Sequence, residues 1–186
     1  MIIVEGPDGA GKTTLVSQIE TDWGLTREPR AVSSDAVSLV PIGEYIEKEL
    51  DKGFGMRLYD RFGLISSPMY TMLPNRTMVE PMTNVAWLGW AYWKMHRLNP
   101  VIIWCMPPLE VVLENVANDE SSKVMKDHAE VIYLNYLTFI ARDFYNTSSM
   151  IYDYTEPNLP RLASLLRWAD GRTKQERGVT WKTSSS

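Results

Sequence analysis

The chain has 186 residues, of which 45% are hydrophobic, and this composition fits one folded domain and excludes a disordered protein. Its formal net charge of −4 excludes a protein that simply coats nucleic acid, because phosphate binding needs a basic face, although a local basic pocket stays compatible with it. The single cysteine, Cys105, excludes an intrachain disulfide, and the lack of a signal segment or a long apolar run predicts a soluble cytoplasmic protein with no membrane partner.

Hydrophobic periodicity predicts strands that alternate with helices. Strands are predicted over residues 1–5, 25–28, 56–60, 101–106 and 148–155. Helices are predicted over residues 12–22, 42–53, 83–98, 108–118, 128–146 and 159–171. The helix over 108–118 has a proline, Pro108, at its first position. The helix over 83–98 has Thr83 or Asn84 as its cap. This alternation predicts an α/β domain with a parallel sheet covered on both faces.

The segment VEGPDGAGKTTL, residues 4–15, joins the first predicted strand to the first predicted helix. Its residues 6–13 follow the pattern G-x-x-x-x-G-K-[ST], which is typical of a P-loop. Glycines let the backbone curl so that its N–H groups point at phosphate oxygens, and the helix that follows adds its positive N-terminal end. The sequence therefore predicts a P-loop NTPase fold of three layers, α/β/α, with a five-stranded parallel sheet and a small lid.

The P-loop also predicts the ligands, which are ATP and Mg²⁺. Lys12 reaches the β- and γ-phosphates, and the Thr13 hydroxyl ligates the metal ion. The residues predicted to bind the nucleotide are Gly6, Asp8, Gly9, Ala10, Gly11, Lys12, Thr13 and Thr14.

Three more motifs follow in order: TREP at 26–29, DRF at 60–62 with serines and a tyrosine after it, and a polar segment at 119–127 before a long helix. In this order the chain resembles the thymidylate kinase group of nucleoside monophosphate kinases, over about residues 1–170. Its size and acidic composition are also similar to those of bacteriophage kinases, whose site of action is the cytoplasm of the host cell. The resemblance implies transfer of the γ-phosphoryl group of ATP to a thymidylate-like deoxynucleoside monophosphate.

The resemblance also implies an acceptor side of the site. Asp8 matches a residue that faces the acceptor, and Arg30 matches one that contacts the acceptor phosphate. In the pair Asp60–Arg61, the carboxylate would organise Mg²⁺ and its water, and the arginine would hold phosphates of both substrates. Residues similar to those that touch the acceptor sugar and base are Ser66, Ser67 and Tyr70, at a spacing one residue longer than in the family. A turn aspartate, a surface ion pair and a solvated loop arginine stay open as alternatives.

Residues 119–127 occupy the position of the family's lid. Its cations here are Lys123 and Lys126, where family members with a glycine at the Gly9 position use arginines. Lysine supplies a point charge without the bidentate fork of arginine. Either these lysines act on the transferring phosphoryl group, or Arg142 or another cation does, or the segment is a solvated loop. The predicted catalytic set is Asp8, Lys12, Asp60, Arg61, Lys123 and Lys126.

The base pocket departs from the family pattern. The stretch 30–59 contains no matching aromatic and arginine pair for a thymine ring. A candidate replacement is the helix WLGWAYWKMHR, in which Trp87, Trp90 or Trp93 could stack on a base. Core packing of the same tryptophans is the alternative interpretation.

Two further functions therefore stay open. One is a kinase with a hydroxyl acceptor, either a nucleoside or 5-hydroxymethyluracil in phage DNA, and DNA would require a basic groove built from Arg30, Arg57, Arg61 and Arg76. The other is a P-loop ATPase switch without acceptor-dependent turnover. The family resemblance also implies pairing of two copies through helices, as a homodimer. We expect one kinase domain over 1–171 and a flexible tail over 172–186.

Overall fold

The computed structural model describes residues 1–29, 42–70, 73, 83–119, 123–143 and 148–180, with the side chains of its last two helices described to 142 and 174. The strands in these residues are β1 (Ile2–Glu5), β2 (Leu58–Asp60), β3 (Val101–Cys105) and β4 (Ser148–Tyr152). The helices are α1 (Lys12–Trp23), α2 (Ile42–Asp51), α3 (Gly63–Met69), α4 (Val85–Leu98), α5 (Leu109–Asn118), α6 (Lys123–Asp143) and α7 (Leu159–Thr180).

The four strands form one parallel sheet in the order β2-β1-β3-β4. Val4 of β1 pairs with Asp60 on one side and Ile103 on the other, so the carboxyl ends of the three strands lie next to one another. The chain runs from β1 to β2 on one side and then crosses to β3 on the other. The carboxyl end of β1 is therefore a topological switch point, where α/β sheets bind their ligands.

The centre of the sheet is buried on both faces. Every residue of β1 and β3 is buried, as continuous apolar runs require when helices cover both faces of a parallel sheet. Helix α1 packs on β1 and β2, and α7 packs on β3. The edge strand β4 alternates instead, with Met150 and Tyr152 buried and Ile151 exposed. The α/β class and the parallel sheet are confirmed.

The number of strands differs from the prediction, because the described residues form four strands and not five. The predicted strand 25–28 is reduced to a single parallel bridge between Arg27 and Leu58. One further backbone bond follows it, from Glu28 N to Leu58 O at 2.8 Å. Pro29 has no N–H group to continue the ladder, and Gly24 lies in a left-handed turn just before the segment. Within the described residues, pairing of this segment with β2 is limited to these two contacts.

The helices are longer than predicted at two places. Helix α6 begins at Lys123, so that part of the predicted lid is helical, and α7 continues to Thr180, past the predicted end at residue 171. Residues 63–69 form a helix, α3, that the sequence did not predict. Asn84 caps α4, accepting hydrogen bonds from Ala86 N and Trp87 N at 3.0 and 3.1 Å. None of the helices in the described ranges combines the length and apolarity that a membrane span needs.

Candidate active site

The P-loop leaves β1 at Gly6 and enters α1 at Lys12. Gly6 has φ of 148°, and a Cβ placed on it would lie 2.3 Å from the Cys105 carbonyl oxygen at the end of β3. Glycine therefore allows the loop to pass this close to the neighbouring strand. Gly11 is the N-cap of α1, and no side chain caps the first turn. The N–H groups of this turn are thus left for an anion, as a phosphate-binding loop requires.

Lys12 is buried beside the loop, with 6% of the residue exposed. Its ammonium donates a hydrogen bond to the Pro7 carbonyl oxygen, so the side chain folds back along the P-loop. Burial, with the repulsion of Arg61 added to it, lowers the pKa of Lys12 to about 7. A group with this pKa gains its charge most readily when anionic oxygens come close. The phosphates of a nucleoside triphosphate would supply such oxygens.

Asp8, Arg61 and Tyr70 come together on the other side of the loop, although more than 50 residues of sequence separate Asp8 from each of the others. Arg61 donates to Asp8 Oδ1, and Tyr70 donates to Asp8 Oδ2 at 3.2 Å. The Arg61 guanidinium also lies 4.9 Å from the centre of the Tyr70 ring. Burial opposes the charge of Asp8, but the cations Arg61 and Lys12 outweigh it and lower the pKa of Asp8. The cluster is thus a charged pair beside the lysine.

Asp60, the last residue of β2, is 1% exposed and lies near Lys12. Its Oδ2 atom is 3.7 Å from Arg27 Nη1 on the neighbouring bridge segment. Thr13, the other predicted metal ligand, is exposed at the start of α1. No cluster of three or more His, Cys, Asp or Glu side chains suited to a metal occurs in the described part of the chain. A Mg²⁺ ion here would therefore take most of its ligands from phosphate oxygens and water, which is how this ion is usually held.

The serines that follow the DR pair lie in α3. The hydroxyl of Ser66 is buried and donates to the Phe62 carbonyl oxygen of its own helix at 3.2 Å. Ser67 is half-buried. The Ser66 hydroxyl is therefore bonded to the helix backbone. Of the three residues predicted to contact the acceptor, Tyr70 is the one that contacts Asp8.

The predicted lid lies only partly within the described residues, which omit 120–122. Lys123 and Lys126 are exposed in the first turns of α6, and Lys126 donates to the Ala117 carbonyl oxygen of α5 at 2.9 Å. Arg142, the alternative cation, lies sixteen residues beyond Lys126 and nineteen beyond Lys123 on the same helix, about 24 and 28 Å along its axis at the rise of an α-helix. It therefore cannot share a site with the lid lysines.

The basic groove that a DNA substrate would need is not formed by the arginines that are described. Arg57 donates to the carbonyl oxygens of Glu49, at 3.0 Å, and Gly53, and Arg61 is paired with Asp8. Arg30 and Arg76, the other two members of the predicted groove, lie outside the described residues. The predicted phosphate contact of Arg30 lies there as well.

The tryptophans of α4 pack on neighbouring side chains. Trp87 donates from Nε1 to Glu47 Oε1 of α2 at 2.6 Å. Lys94 lies 4.9 Å from the centre of the Trp90 ring, and Arg97 lies 5.1 Å from that of Trp93, on the partly exposed side of the helix. The Trp87 ring also packs against the hydrophobic core and lies 6.3 Å from the Trp90 ring, so the contacts described for Trp87 fit the core-packing interpretation.

Four residues at this site were not predicted from the sequence. Glu5 and Tyr136 are bonded to each other beside Arg61, with Tyr136 donating to Glu5 Oε2 at 3.0 Å. Asn115 donates to the Gly9 carbonyl oxygen at 2.8 Å and to the Tyr154 hydroxyl oxygen at 2.6 Å. A signal existed for Glu5 alone, since an acid at the end of a buried apolar strand is unusual. The other three occupy ordinary positions of their elements.

The four-stranded parallel sheet with the P-loop pattern at its switch point is a fold that this chain shares with solved structures, including the following three. The YorR protein of Bacillus subtilis, in complex with phosphorylated GDP, aligns with a TM-score of 0.62 and 14% identity over 96% of this chain and 94% of that chain. Deoxyadenosine kinase from M. mycoides, in its complex with dCTP, aligns with a TM-score of 0.55 and 16% identity over 92% of this chain and 100% of that chain. The dATP complex of the same enzyme aligns with a TM-score of 0.57 and 15% identity over 91% of this chain and 98% of that chain. No protein-family model and no curated protein sequence matches the chain.

Proposed function

We propose that this protein is an ATP- and Mg²⁺-dependent phosphotransferase of the nucleoside and nucleotide kinase type. The observation that carries the proposal is the cluster of Asp8, Arg61 and Tyr70 beside the P-loop lysine. A nucleotide switch needs the P-loop but has no use for a second charged cluster next to it. A kinase needs both, because it must hold a donor and an acceptor together.

The residues divide between donor and acceptor. The P-loop backbone and Lys12 would hold the triphosphate, with Thr13 and Asp60 as the protein's ligands to Mg²⁺. When bound, Mg²⁺ would neutralise charge on the β- and γ-phosphate oxygens. Arg61 would bind the acceptor or the transferring phosphoryl group, and it would exchange Asp8 for the substrate anion. Transfer then depends mainly on alignment and charge neutralisation, and no side chain forms a covalent intermediate.

Our first candidate for the acceptor is a thymidylate-like deoxynucleoside monophosphate. Arg61 supplies the cation that an acceptor phosphate requires, and the resemblance of TREP and DRF to thymidylate kinase motifs supports the same class. Arg30 is a further proposed clamp for that phosphate. Lys123 and Lys126 at the start of α6 are the proposed lid cations, which would approach when the segment closes over the donor.

The second candidate is a hydroxyl acceptor, that is, a deoxynucleoside. The likeness to deoxyadenosine kinase, over 92% of this chain, favours it. A nucleoside carries no phosphate, so Asp8 rather than Arg61 would contact it, by accepting a hydrogen bond from a sugar hydroxyl. A 5-hydroxymethyluracil base in phage DNA is a weaker form of this candidate, because Arg57 of the required basic groove is bound to the carbonyl oxygens of Glu49 and Gly53.

A phosphoryl-transfer assay separates these candidates. Labelled ATP and Mg²⁺ would be tested against deoxynucleoside monophosphates, deoxynucleosides, and duplex DNA that contains thymine or 5-hydroxymethyluracil. Label in a diphosphate product supports the first candidate, and label in a monophosphate product supports the second. Label in the modified duplex alone would support the DNA form. ATP hydrolysis that no acceptor accelerates would overturn the kinase proposal in favour of an ATPase switch.

We propose in addition that two copies pair through α6. Four apolar side chains of this helix are at least 40% exposed, which is unusual for an amphipathic helix that already packs on α5. They are Val124, Val131, Leu134 and Leu137. A second copy of the chain would cover them.

A further inference from the structure

We propose that Glu5 is a positioning residue, which holds Arg61 in the geometry that the acceptor requires. This inference rests on the proposed function, in which Arg61 contacts the acceptor or the transferring phosphoryl group. Glu5 ends β1 directly before the P-loop and is completely buried. It touches neither nucleotide in the proposed arrangement, and its effect is exerted through the backbone amide of Phe62, which directly follows Arg61.

The backbone of Arg61 is the first reason for the proposal. Arg61 has φ of 72°, in the left-handed region, which costs an L residue about 1–2 kcal/mol. Two hydrogen bonds hold it there. Arg61 N donates to the Val4 carbonyl oxygen at 2.9 Å, and Phe62 N donates to Glu5 Oε1 at 2.6 Å. Both peptide groups that flank the strained residue are therefore tied to the end of β1, one by backbone and one by the Glu5 carboxylate.

The strained turn determines where the arginine points. A left-handed residue at the end of β2 turns the chain out of the strand direction, and the guanidinium then reaches Asp8 in the P-loop and lies over Tyr70. Without the bond to Phe62 N, that backbone amide would be buried and unpaired, and the turn would lose one of its two constraints. Loosening of the turn would displace the guanidinium and leave the donor side of the P-loop in place.

The second carboxylate oxygen of Glu5 connects the same point to α6. Tyr136, which is completely buried, donates to Glu5 Oε2 at 3.0 Å. The charged groups that face Glu5 are Arg61 and Lys12, and the polar ones are Tyr136, Tyr70, Cys105 and the Phe62 amide. Burial raises the pKa of Glu5 to about 7, so the charged and the protonated forms of its carboxyl group are both populated near neutral pH. The proposal therefore depends on its two hydrogen bonds and not on its charge.

Two conservative variants separate the effect of the length of the Glu5 side chain from the effect of its charge. Glu5→Asp keeps the charge and shortens the side chain by one CH₂, so it cannot bridge Phe62 N and Tyr136. Glu5→Gln keeps the length, since its amide oxygen can accept from Phe62 N and its NH₂ group can donate to the Tyr136 oxygen. Glu49 offers a matched control, because it is also buried and accepts from a tyrosine, Tyr59, at 2.7 Å. Glu49→Asp makes the same change away from the P-loop.

The kinetic measurement is the Michaelis constant of each substrate. We expect Glu5→Asp to raise the acceptor KM by roughly tenfold, the loss that one buried hydrogen bond causes, with the ATP KM within about twofold. Glu5→Gln and Glu49→Asp should leave the acceptor KM within about twofold. A larger effect from Glu5→Gln than from Glu5→Asp would overturn the proposal in favour of a role for the charge. Equal effects of Glu5→Asp and Glu49→Asp would reduce Glu5 to a general structural role.

A second measurement does not depend on activity. Amide hydrogen exchange, resolved by NMR, should show faster exchange at Arg61 and Phe62 in Glu5→Asp and wild-type protection in Glu5→Gln and Glu49→Asp. If the wild-type protein transfers phosphate to no acceptor, the proposed function fails, and the exchange data still decide whether Glu5 holds this turn. Wild-type protection at Arg61 and Phe62 in folded Glu5→Asp would refute the inference even if the kinase activity is present.

Discussion

Lys12 shows how a single residue carries the candidate chemistry. Its ammonium is buried against the Pro7 carbonyl oxygen and lies near Asp60 and Arg61. A positive charge in such a place stabilises the charge that develops on a transferring phosphoryl group. We expect Lys12→Ala to lower turnover at least about a hundredfold in the transfer assay, with the fold retained by circular dichroism. Near-normal turnover of this variant would remove the P-loop from the mechanism.

The buried lysine also predicts a proton uptake. Because the pKa of Lys12 is about 7 in the protein and the phosphates of ATP would raise it, the lysine is largely neutral at pH 8.5 before binding and charged after it. We expect ATP binding at pH 8.5 to take up close to one proton, measured by titration calorimetry in buffers of different ionisation enthalpy. Lys12→Arg is the control, since arginine is charged throughout this range and should abolish the uptake. Equal uptake by both proteins would place the proton elsewhere.

Among the secondary-structure elements, β1 and β3 approach each other closely where β1 continues into the P-loop. A Cβ on Gly6 would meet the Cys105 carbonyl oxygen at 2.3 Å, so Gly6→Ala must push β1 and β3 apart where their carboxyl ends meet. We expect this change to lower the free energy of unfolding by more than about 2 kcal/mol in urea denaturation and to weaken ATP binding.

Gly24→Ala is the control for a positive φ without crowding, at a glycine in the αL region. Gly24 also has positive φ, at 61°, but nothing lies within 4 Å of its added Cβ. It should lower the free energy of unfolding by only about 1 kcal/mol, the cost of the left-handed region alone. Equal losses at both glycines would show that backbone strain, and not the close approach of the strands, explains the requirement at Gly6.

Helices and strands were predicted well wherever the pattern was local. The apolar periodicity of 83–98 and the β-branched run of 101–106 gave α4 and β3 almost to the residue. Helix α3 was missed because Gly63 and Pro68 argue against a helix, and packing overrides them. The start of α6 was placed five residues late, because a polar first turn has no apolar pattern to reveal it.

At the scale of the whole molecule, the exposed apolar side chains of α6 predict a homodimer. Leu134 is 48% exposed, and so is Ile151 on the edge strand β4. We expect sedimentation analysis to show a dimer that Leu134→Glu converts to a monomer, because a buried unpaired charge is costly in an interface. Ile151→Glu introduces the same charge on another surface and should leave the dimer intact. A wild-type monomer at micromolar concentration would refute this pairing.

The sequence by itself determined the P-loop, the α/β class and the direction of the sheet. These depend on short-range features: the spacing of Gly6, Gly11 and Lys12, and the apolar runs that bracket them. It could also point to Asp8, Arg61 and Tyr70 through a resemblance, but it could not show that their side chains meet.

The tertiary structure alone decided which residues come together at the switch point. Glu5 and Tyr136 are 131 positions apart, and they meet only because β1 lies in the sheet while α6 packs over its end. The prediction of a strand over 25–28 was wrong for a similar reason, since strand formation depends on pairing with a neighbouring strand as well as on composition. Contacts between distant residues follow from the packing of whole elements, and no local pattern in the chain encodes them.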